Sequence, residues 1–229
     1  MKTYELVLQQ VEADLAAGRL RLGERLPGER GLAERLGVSR ASVREAIRVL
    51  EAMGVVRTSV GSGPDAGAVI VADPSSALSS ALRLHLATSH LPISDIVQTR
   101  VLLESWAARE AARRSGAGDL ATAERLLDDM DDPGLTPERF HLLDAEFHVT
   151  LTALAGNVLI AAVMAALRES IHGYVMAAVP QLADWETTAR RLRSEHRAVV
   201  AAVRAGDGGV AATLVSAHIA GFYREAHLG

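Results

Sequence analysis

Three histidines and one aspartate in the second half of the chain have the side chains and the spacing of a metal site. Asp144 and His148 are four residues apart, which places both on one face of a helix. His196 and His218 lie about ten residues on either side of a short turn at residues 206–209, so two antiparallel helices would bring them to a similar height. Three imidazoles and a carboxylate form a mixed nitrogen and oxygen donor set for a divalent cation. Taken singly, each histidine is more commonly an ordinary core or surface residue.

A second group of residues, in the first quarter of the chain, has the chemistry of DNA recognition. Arg40, Arg44 and Arg48 follow one another at intervals of one helical turn, and Ser39 precedes them as a predicted helix N-cap. Gly37 permits a sharp turn after a short preceding helix. Arginine forks suit guanine edges in the major groove, and a hydroxyl at a helix N-terminus suits phosphate. Two surface helices with solvated arginines would show the same pattern, so the residues alone leave both interpretations open.

The hydrophobic pattern predicts a small mixed domain followed by a larger all-α domain. Residues 1–72 are expected to form three helices and a two-stranded hairpin, the wing, whose glycine-rich turn includes Gly61. Residues 73–76, of sequence DPSS, are predicted to be a polar, helix-breaking linker. Residues 77–229 show no strand pattern and predict a helical bundle with room for a pocket. The helical segments are expected at roughly 75–87, 93–115, 118–130, 136–155, 157–179, 184–205 and 207–227.

Composition narrows the function classes. At 229 residues the chain can bury a core in each of two domains, and its 49 % hydrophobic and 3 % aromatic residues favour helices. The absence of cysteine excludes disulfides and thiolate metal sites. We find neither a signal peptide nor an apolar run of membrane-spanning length, so we expect a cytoplasmic protein without a membrane partner. Residues 1–72 carry ten Lys or Arg against nine Asp or Glu, so specific DNA binding would depend on a few arginines, doubled by dimerisation.

The segments LPGER, from Leu26, and LAERLGVSRASVREAIRVLEAMGVV, from Leu32, resemble the winged helix-turn-helix of the GntR family of transcription regulators. Gly28 stands where the family usually has serine, which removes one hydroxyl that could contact phosphate. The turn of the wing is also longer than the usual tight, glycine-rich tip of the family. The resemblance implies that operator DNA is contacted by Arg30, Ser39, Arg40, Ser42, Arg44 and Gly61.

The segments RVLLESWAAREAA, DAEFHVTLTALAGN, RSEHRAVVAAVRAGD and SAHI resemble the FCD effector domain of the fatty-acid-responsive branch of that family. The resemblance implies an all-α domain of six or seven helices, in which an aspartate and three histidines bind a divalent metal. Here those ligands would be Asp144, His148, His196 and His218. Zinc is the expected ion, with nickel, manganese or iron as alternatives.

The same resemblance implies that a small carboxylic acid docks at the metal as the effector. Arg100 could offer the acid a bidentate fork, or it could pair with Glu104 one helical turn away. Asn157 and Arg193 are weaker candidates for contacts with the effector.

The sequence therefore predicts a homodimeric regulator, in the repressor polarity, that binds a palindromic operator and responds to a small acid. Two alternatives stay open. A metal-dependent hydrolase would use the four ligands to activate water, although no HExxH or GxSxG motif accompanies them. Alternatively, the metal would be purely structural in a domain that serves for dimerisation.

Overall fold

The structure, a computed structural model, describes residues 2–59, 67–71, 73–88, 91–114 and 117–228. The chain divides into two compact units, Met1–Leu78 and Ser79–Gly229. The first unit contains three helices and a hairpin, and the described residues of the second unit form helices joined by turns, without a strand. The expected fold class, a winged helix-turn-helix followed by an all-α bundle, is confirmed.

The N-terminal unit is built on a tight helix pair. Helices α1 (Thr3–Ala16), α2 (Glu29–Leu36) and α3 (Arg40–Ala52) pack around an apolar cluster that includes Leu32 and Val43. Gly37 ends α2 with φ 65°, the left-handed conformation that glycine adopts without strain. Ser39 begins α3, and its side chain accepts a hydrogen bond from Ser42 N at 3.1 Å. Both local predictions are confirmed.

The predicted wing is an antiparallel hairpin of β1 (Val56–Ser59) and β2 (Gly67–Ile70), with Val56 paired to Ile70 and Ser59 paired to Gly67. Val56 and Ile70 bury their side chains in a second apolar cluster against α1 and α3. Glu51, near the end of α3, accepts a hydrogen bond from Thr58 N on β1 at 2.9 Å. This contact ties the hairpin to the helix that carries the arginines.

Helix α4 (Pro74–Ala87) begins inside the segment predicted as a linker, residues 73–76, and agrees with the helix expected at 75–87. Proline is well tolerated at the first position of a helix, where its missing N–H would have no partner. Asp73 supplies the cap: its Oδ1 accepts from Ser75 Oγ at 2.6 Å and from Ser76 N at 3.4 Å. DPSS is therefore a helix start, and the compact units meet within α4, between Leu78 and Ser79.

The second unit is a bundle that matches the predicted helical segments closely. Its long helix α5 (Ile93–Arg114) packs along the last helix, Gly208–Glu225, and also contacts the helices Pro137–Ala153, Val158–Ala178 and Trp185–Arg204. The core contains the fully buried side chains of Phe140, Phe147, Met164 and Ile219. The other helices are α6 (Ala121–Met130), α7 (Pro137–Ala153), α8 (Val158–Ala178), α9 (Trp185–Arg204) and α10 (Gly208–Glu225), with short 3-10 helices at Ala117–Leu120 and Val179–Gln181.

One helical stretch corrects the expectation that no apolar run reaches membrane-spanning length. Val158–Gln181 is long and apolar enough by length and composition, with a mean hydropathy of 1.4. Core helices of globular proteins pass the same test. Here α8 packs against α7 and contains the buried, ion-paired Arg168. Length and composition alone therefore do not place α8 in a membrane.

Candidate metal centre and DNA-reading surface

The four predicted metal ligands come together inside the helical unit. Asp144 and His148 lie on α7, His196 on α9 and His218 on α10, and one ligand atom of each lies within 4.8 Å of all the others. His196 and His148 are almost completely buried, and Asp144 is 9 % exposed. The helical hairpin formed by α9 and α10 places His196 opposite His218, as the spacing predicted.

The separations between the ligand atoms fit a single cation. His196 Nε2 lies 3.2 Å from His218 Nε2 and 3.1 Å from Asp144 Oδ1. His148 Nε2 lies 3.2 Å from His218 Nε2 and 3.6 Å from Asp144 Oδ1. Ligands held at metal distances of about 2.0–2.2 Å are separated by roughly 3.0–3.5 Å in octahedral or tetrahedral geometry. The four groups are therefore spaced as the ligands of one divalent ion.

Two carboxylates fix the protonation of the imidazoles. His148 Nδ1 donates to Glu104 Oε2, and His218 Nδ1 donates to Glu195 Oε2 at 2.7 Å. An ionised carboxylate only accepts hydrogen bonds, so in each neutral ring the proton lies on Nδ1 and the lone pair on Nε2. The two Nε2 lone pairs therefore face each other at 3.2 Å. A cation between them would turn this repulsion into coordination, so the donor set fits a metal.

Burial and neighbouring charges shift the pKa values of three of the predicted ligands toward the protonation states that bind metal. Burial, and then the neighbouring His218, lowers the pKa of His196 to about 3. Burial likewise lowers the pKa of His218. Burial alone would raise the pKa of Asp144, but Arg168 and then His148 hold that pKa well below its usual value. At neutral pH the imidazoles of His196 and His218 are therefore neutral and the Asp144 carboxylate is ionised, and these are the forms that bind metal.

A buried ion-pair network surrounds the ligands. Arg168 Nη2 donates to Asp144 Oδ2, and Arg100 Nε donates to Glu104 Oε1 at 2.8 Å. Arg100 Nη1 also donates to the Tyr223 hydroxyl at 2.6 Å. Burial would raise the pKa of Glu104, but Arg100 and then His148 hold it well below its ordinary value. In this network the charges of two arginines and two carboxylates balance before any metal is added.

Two cavities adjoin the site. An enclosed cavity of about 30 Å³ is lined by Asp144, His218, Arg100 and Arg168, together with apolar side chains such as Trp185. This volume accommodates about two water molecules. An open groove of about 1170 Å³ runs between α7 and α8 and is lined mainly by small and apolar side chains. The site therefore has beside it a small chamber with both charged and apolar walls and a large, accessible groove.

The three residues predicted to contact the effector have different positions and partners in the structure. Arg100 lines the enclosed cavity, but it makes the predicted pair with Glu104 and a second bond to Tyr223. Asn157 is the N-cap of α8, where its Oδ1 accepts from Ile160 N at 3.1 Å. Arg193 donates to Met130 O at 2.6 Å, and its guanidinium stacks over Phe140. Neither Asn157 nor Arg193 is among the residues that line the cavity, so we do not retain them as effector contacts.

The predicted DNA-contacting arginines are exposed on the N-terminal unit. The side chains of Arg30, Arg40 and Arg44 are 84 %, 63 % and 53 % exposed. Arg40 Nη2 and Arg44 Nη1 each lie 3.7 Å from Glu29 Oε2, in ion pairs that are weak in water. Glu29 therefore holds the two arginines side by side while leaving both accessible to a phosphate or a base edge.

The remaining predicted DNA contacts lie at the start of α3 and in the wing. The Ser39 and Ser42 hydroxyl oxygens are 3.0 Å apart at the helix N-terminus, and Ser39 is exposed. The backbone N–H groups of this first turn favour an anion. Gly61 lies outside the described residues.

Comparison with known proteins decides the family. Residues 3–64 match the family described as bacterial regulatory proteins, gntR family, and residues 95–221 match the FCD domain. The chain belongs to the GntR family of transcriptional regulators. It is a DNA-binding regulator of the FCD type, and both matched families are regulators and not enzymes.

Individual relatives of this GntR-family chain include both an activator and a repressor of transcription. It is 26 % identical over 205 residues to the Glc operon transcriptional activator of Escherichia coli K12, covering 87 % of the chain and 79 % of that protein. It is 30 % identical over 226 residues to the transcriptional repressor NanR of Cronobacter sakazakii, covering 95 % and 83 %. A solved GntR structure from Streptococcus agalactiae matches with a TM-score of 0.69 and 25 % identity, covering 96 % of this chain and 98 % of that one.

Three residues of this GntR-family chain contact the predicted metal ligands in ways that the sequence analysis does not predict. Glu104 was considered only as a partner of Arg100, although it also orients His148. Glu195 immediately precedes His196, so on a helix it faces away from that histidine, but it reaches His218 on the next helix. Arg168 is an arginine within the apolar α8. A charged residue in such a helix is a usable signal, because charges are rarely buried without partners.

Proposed function

We propose that the helical unit of this regulator binds one divalent metal through Asp144, His148, His196 and His218 and senses a small carboxylic acid there. The observation that carries this proposal is the convergence of three Nε2 atoms and one carboxylate oxygen within 4.8 Å. The carboxylates of Glu104 and Glu195 orient two of the imidazoles, as is common for metal-bound histidines.

The charge of the loaded site supports an acidic effector. Asp144 is the only anionic group among the four proposed ligands, and its charge and that of Glu104 are already balanced by Arg100 and Arg168. A divalent ion would therefore leave an excess of positive charge in a buried region, reduced by Glu195 at its edge. Uncompensated buried charge is costly. An anion that binds beside the metal would relieve that cost, so we propose a carboxylate in preference to a neutral ligand.

Zinc is the proposed ion, with nickel, manganese or iron as alternatives. The donor set of three nitrogens and one oxygen is compatible with each of these metals. When bound, the ion would supply a Lewis-acidic docking point for a carboxylate oxygen. Asp144 would supply one oxygen through Oδ1 and would be held in place by Arg168 through Oδ2.

On the DNA side, we propose that Arg30, Arg40 and Arg44 contact the operator, with Ser39 and Ser42 at phosphate. A single small unit reads a short stretch of duplex, so we propose a homodimer on a palindromic site. We propose that the protein is a repressor, as its relative NanR is, although its relative from the Glc operon is an activator. The protein would act in the cytoplasm, where it would bind DNA.

One experiment tests the sensing function. The full-length protein selects its operator from a random duplex pool, and fluorescence anisotropy then measures operator affinity for metal-loaded and metal-free protein. Acetate, lactate and gluconate serve as probe acids. We expect about one zinc per chain by elemental analysis, its loss in His196→Ala at retained helix content, and an acid-dependent change of roughly 5–150-fold in operator Kd.

The outcomes separate the alternatives. Full zinc occupancy in His196→Ala would refute the ligand set. Metal binding without any acid response would support the structural metal in place of the sensor, and an unchanged acid response in the metal-free protein would rule out docking on the metal. Turnover of a probe acid or its ester by the loaded protein would support the hydrolase.

A further inference from the structure

Arg168 occupies a position in the helical unit that the established family membership does not explain. It lies on α8 and is 3 % exposed. Only Arg168 and His141 line both the enclosed cavity beside the metal ligands and the open groove between α7 and α8, among the described residues that line the two. The guanidinium of Arg168 is therefore part of the wall between the proposed effector chamber and the accessible groove.

The guanidinium of Arg168 has N–H donors that are not paired with an acceptor. Nη2 donates to Asp144 Oδ2, but Nε and Nη1 are buried without a hydrogen-bond partner. Nη1 lies 3.7 Å from Glu104 Oε1, a distance for an ion pair but too long for a hydrogen bond. A buried N–H without an acceptor is costly, and more so on a charged group. Burial, followed by the repulsion of Arg100, also lowers the pKa of Arg168.

The neighbouring arginine does not share this capacity. Arg100 uses Nε for Glu104 and Nη1 for the Tyr223 hydroxyl, and no atom of Arg100 is among the orphaned buried groups. An acid that bound Nε or Nη1 of Arg100 would have to compete with Glu104 or Tyr223. An acid that bound Arg168 would fill vacant positions, so the two arginines of the cavity are not equivalent.

We propose that Arg168, and not Arg100, is the arginine that binds the carboxylate of the effector, and that the effector reaches it from the groove between α7 and α8. This inference rests on the proposed sensing function and names the residue and the route. The enclosed cavity of about 30 Å³ is too small for a carboxylate together with its substituent. The substituent therefore needs further space, and the groove, which shares Arg168 and His141 with the small cavity, is the large space beside it.

Cobalt-substituted full-length protein tests the residue. Acetate is the probe, and its binding is followed by the visible absorption of the cobalt ion and by calorimetry. We expect Arg168→Gln to raise the acetate Kd roughly tenfold or more at unchanged cobalt occupancy, because charge-assisted hydrogen bonds to the acid are lost. Arg193→Gln is the matched control, since Arg193 is an arginine of the same unit that does not line the cavity. It should leave the acetate Kd unchanged.

The results divide cleanly. Acetate affinity retained in Arg168→Gln but lost in Arg100→Gln would overturn the assignment, whereas wild-type protein that holds cobalt but binds no acid would refute the sensing function itself. If Arg168→Gln fails to hold cobalt, Arg168→Lys gives the same comparison. Lysine keeps a charge beside Asp144 but lacks the Nε and Nη1 donors, so we expect a loss of roughly threefold or more.

A variant in the groove tests the route. Ala165 lines the groove on α8, three residues before Arg168, and is not among the residues that line the enclosed cavity. We expect Ala165→Trp to slow acetate association by roughly tenfold, because a bulky side chain would narrow the entrance. Association as fast as in the wild type, with the tryptophan variant folded and cobalt-loaded, would exclude the groove as the entrance.

Discussion

Replacing Glu195 by glutamine should weaken metal binding without unfolding the helical unit. Glu195 Oε2 accepts from His218 Nδ1 at 2.7 Å and so holds the lone pair of Nε2 toward the other ligands. Glutamine can still accept that hydrogen bond through its oxygen, but it removes the negative charge that makes the imidazole more basic. Loss of such a partner typically costs 10–100-fold in metal affinity, so we expect about tenfold for Glu195→Gln and more for Glu195→Ala.

The effect should be separable from stability because the Glu195 side chain is 31 % exposed. Its other partner, Arg191, is 34 % exposed and also pairs with Glu225, so water and Glu225 can replace what is lost. Zinc affinity is measured by competition with a chelating dye, and stability by thermal unfolding of the metal-free protein. The matched control is Glu225→Gln, which disturbs Arg191 without touching His218.

Two results would contradict the role of Glu195. Zinc affinity within about threefold of the wild type would mean that the hydrogen bond to His218 Nδ1 does not tune the ligand. An equal loss in Glu225→Gln would attribute the effect to Arg191 and the general surroundings of the helix pair instead.

Two further predictions concern the DNA-reading surface and the buried histidines. Arg40→Ala or Arg44→Ala should each weaken specific operator binding by about 1–3 kcal/mol, and an unchanged Kd in a gel-shift titration would refute contact by that side chain. Burial lowers the pKa of His141 to about 4 and of His196 to about 3, below the ordinary value of about 6.5. Between these pKa values and 6.5, the unfolded chain takes up protons that the folded, metal-free protein does not. The free energy of unfolding should therefore be constant with respect to these histidines above pH 6.5 and fall by about 1.4 kcal/mol per histidine per pH unit as the pH falls from 6.5 toward 4. Thermal unfolding at pH 7, 6 and 5 measures this loss of stability. His141→Phe should remove the part of the pH dependence that His141 contributes.

Features set by local chemistry could be predicted from the sequence. The left-handed Gly37 and the N-cap at Ser39 depend only on neighbouring residues, and the structure has both. The shared face of Asp144 and His148 follows from the helical repeat. The helices expected at 75–87 and 157–179 are also present, but the prediction does not include the capping roles of Asp73 and Asn157. In the structure both regions begin a helix.

Features that depend on how helices turn against one another could not be predicted. The orientation of α9 relative to α10 brings Glu195 to His218, and the packing of α5 on α7 brings Glu104 to His148. Long side chains add further uncertainty, because an arginine can reach a partner several ångströms from its own helix face. Arg193 reaches the carbonyl of Met130 in this way and does not enter the cavity.

The unmet hydrogen bonds of the structure are concentrated at the proposed site. Of the five buried side-chain atoms without a partner in the described residues, four belong to His141, Arg168 and His196, and the fifth is Ser105 Oγ. Each such group costs about 1–3 kcal/mol, a considerable fraction of the 5–15 kcal/mol that keeps a typical domain folded. Well-packed apolar side chains would often give an equally stable or more stable bundle. The free energy of binding a metal and an acid should therefore appear as a higher unfolding temperature of the helical unit, since both would bind the folded state alone.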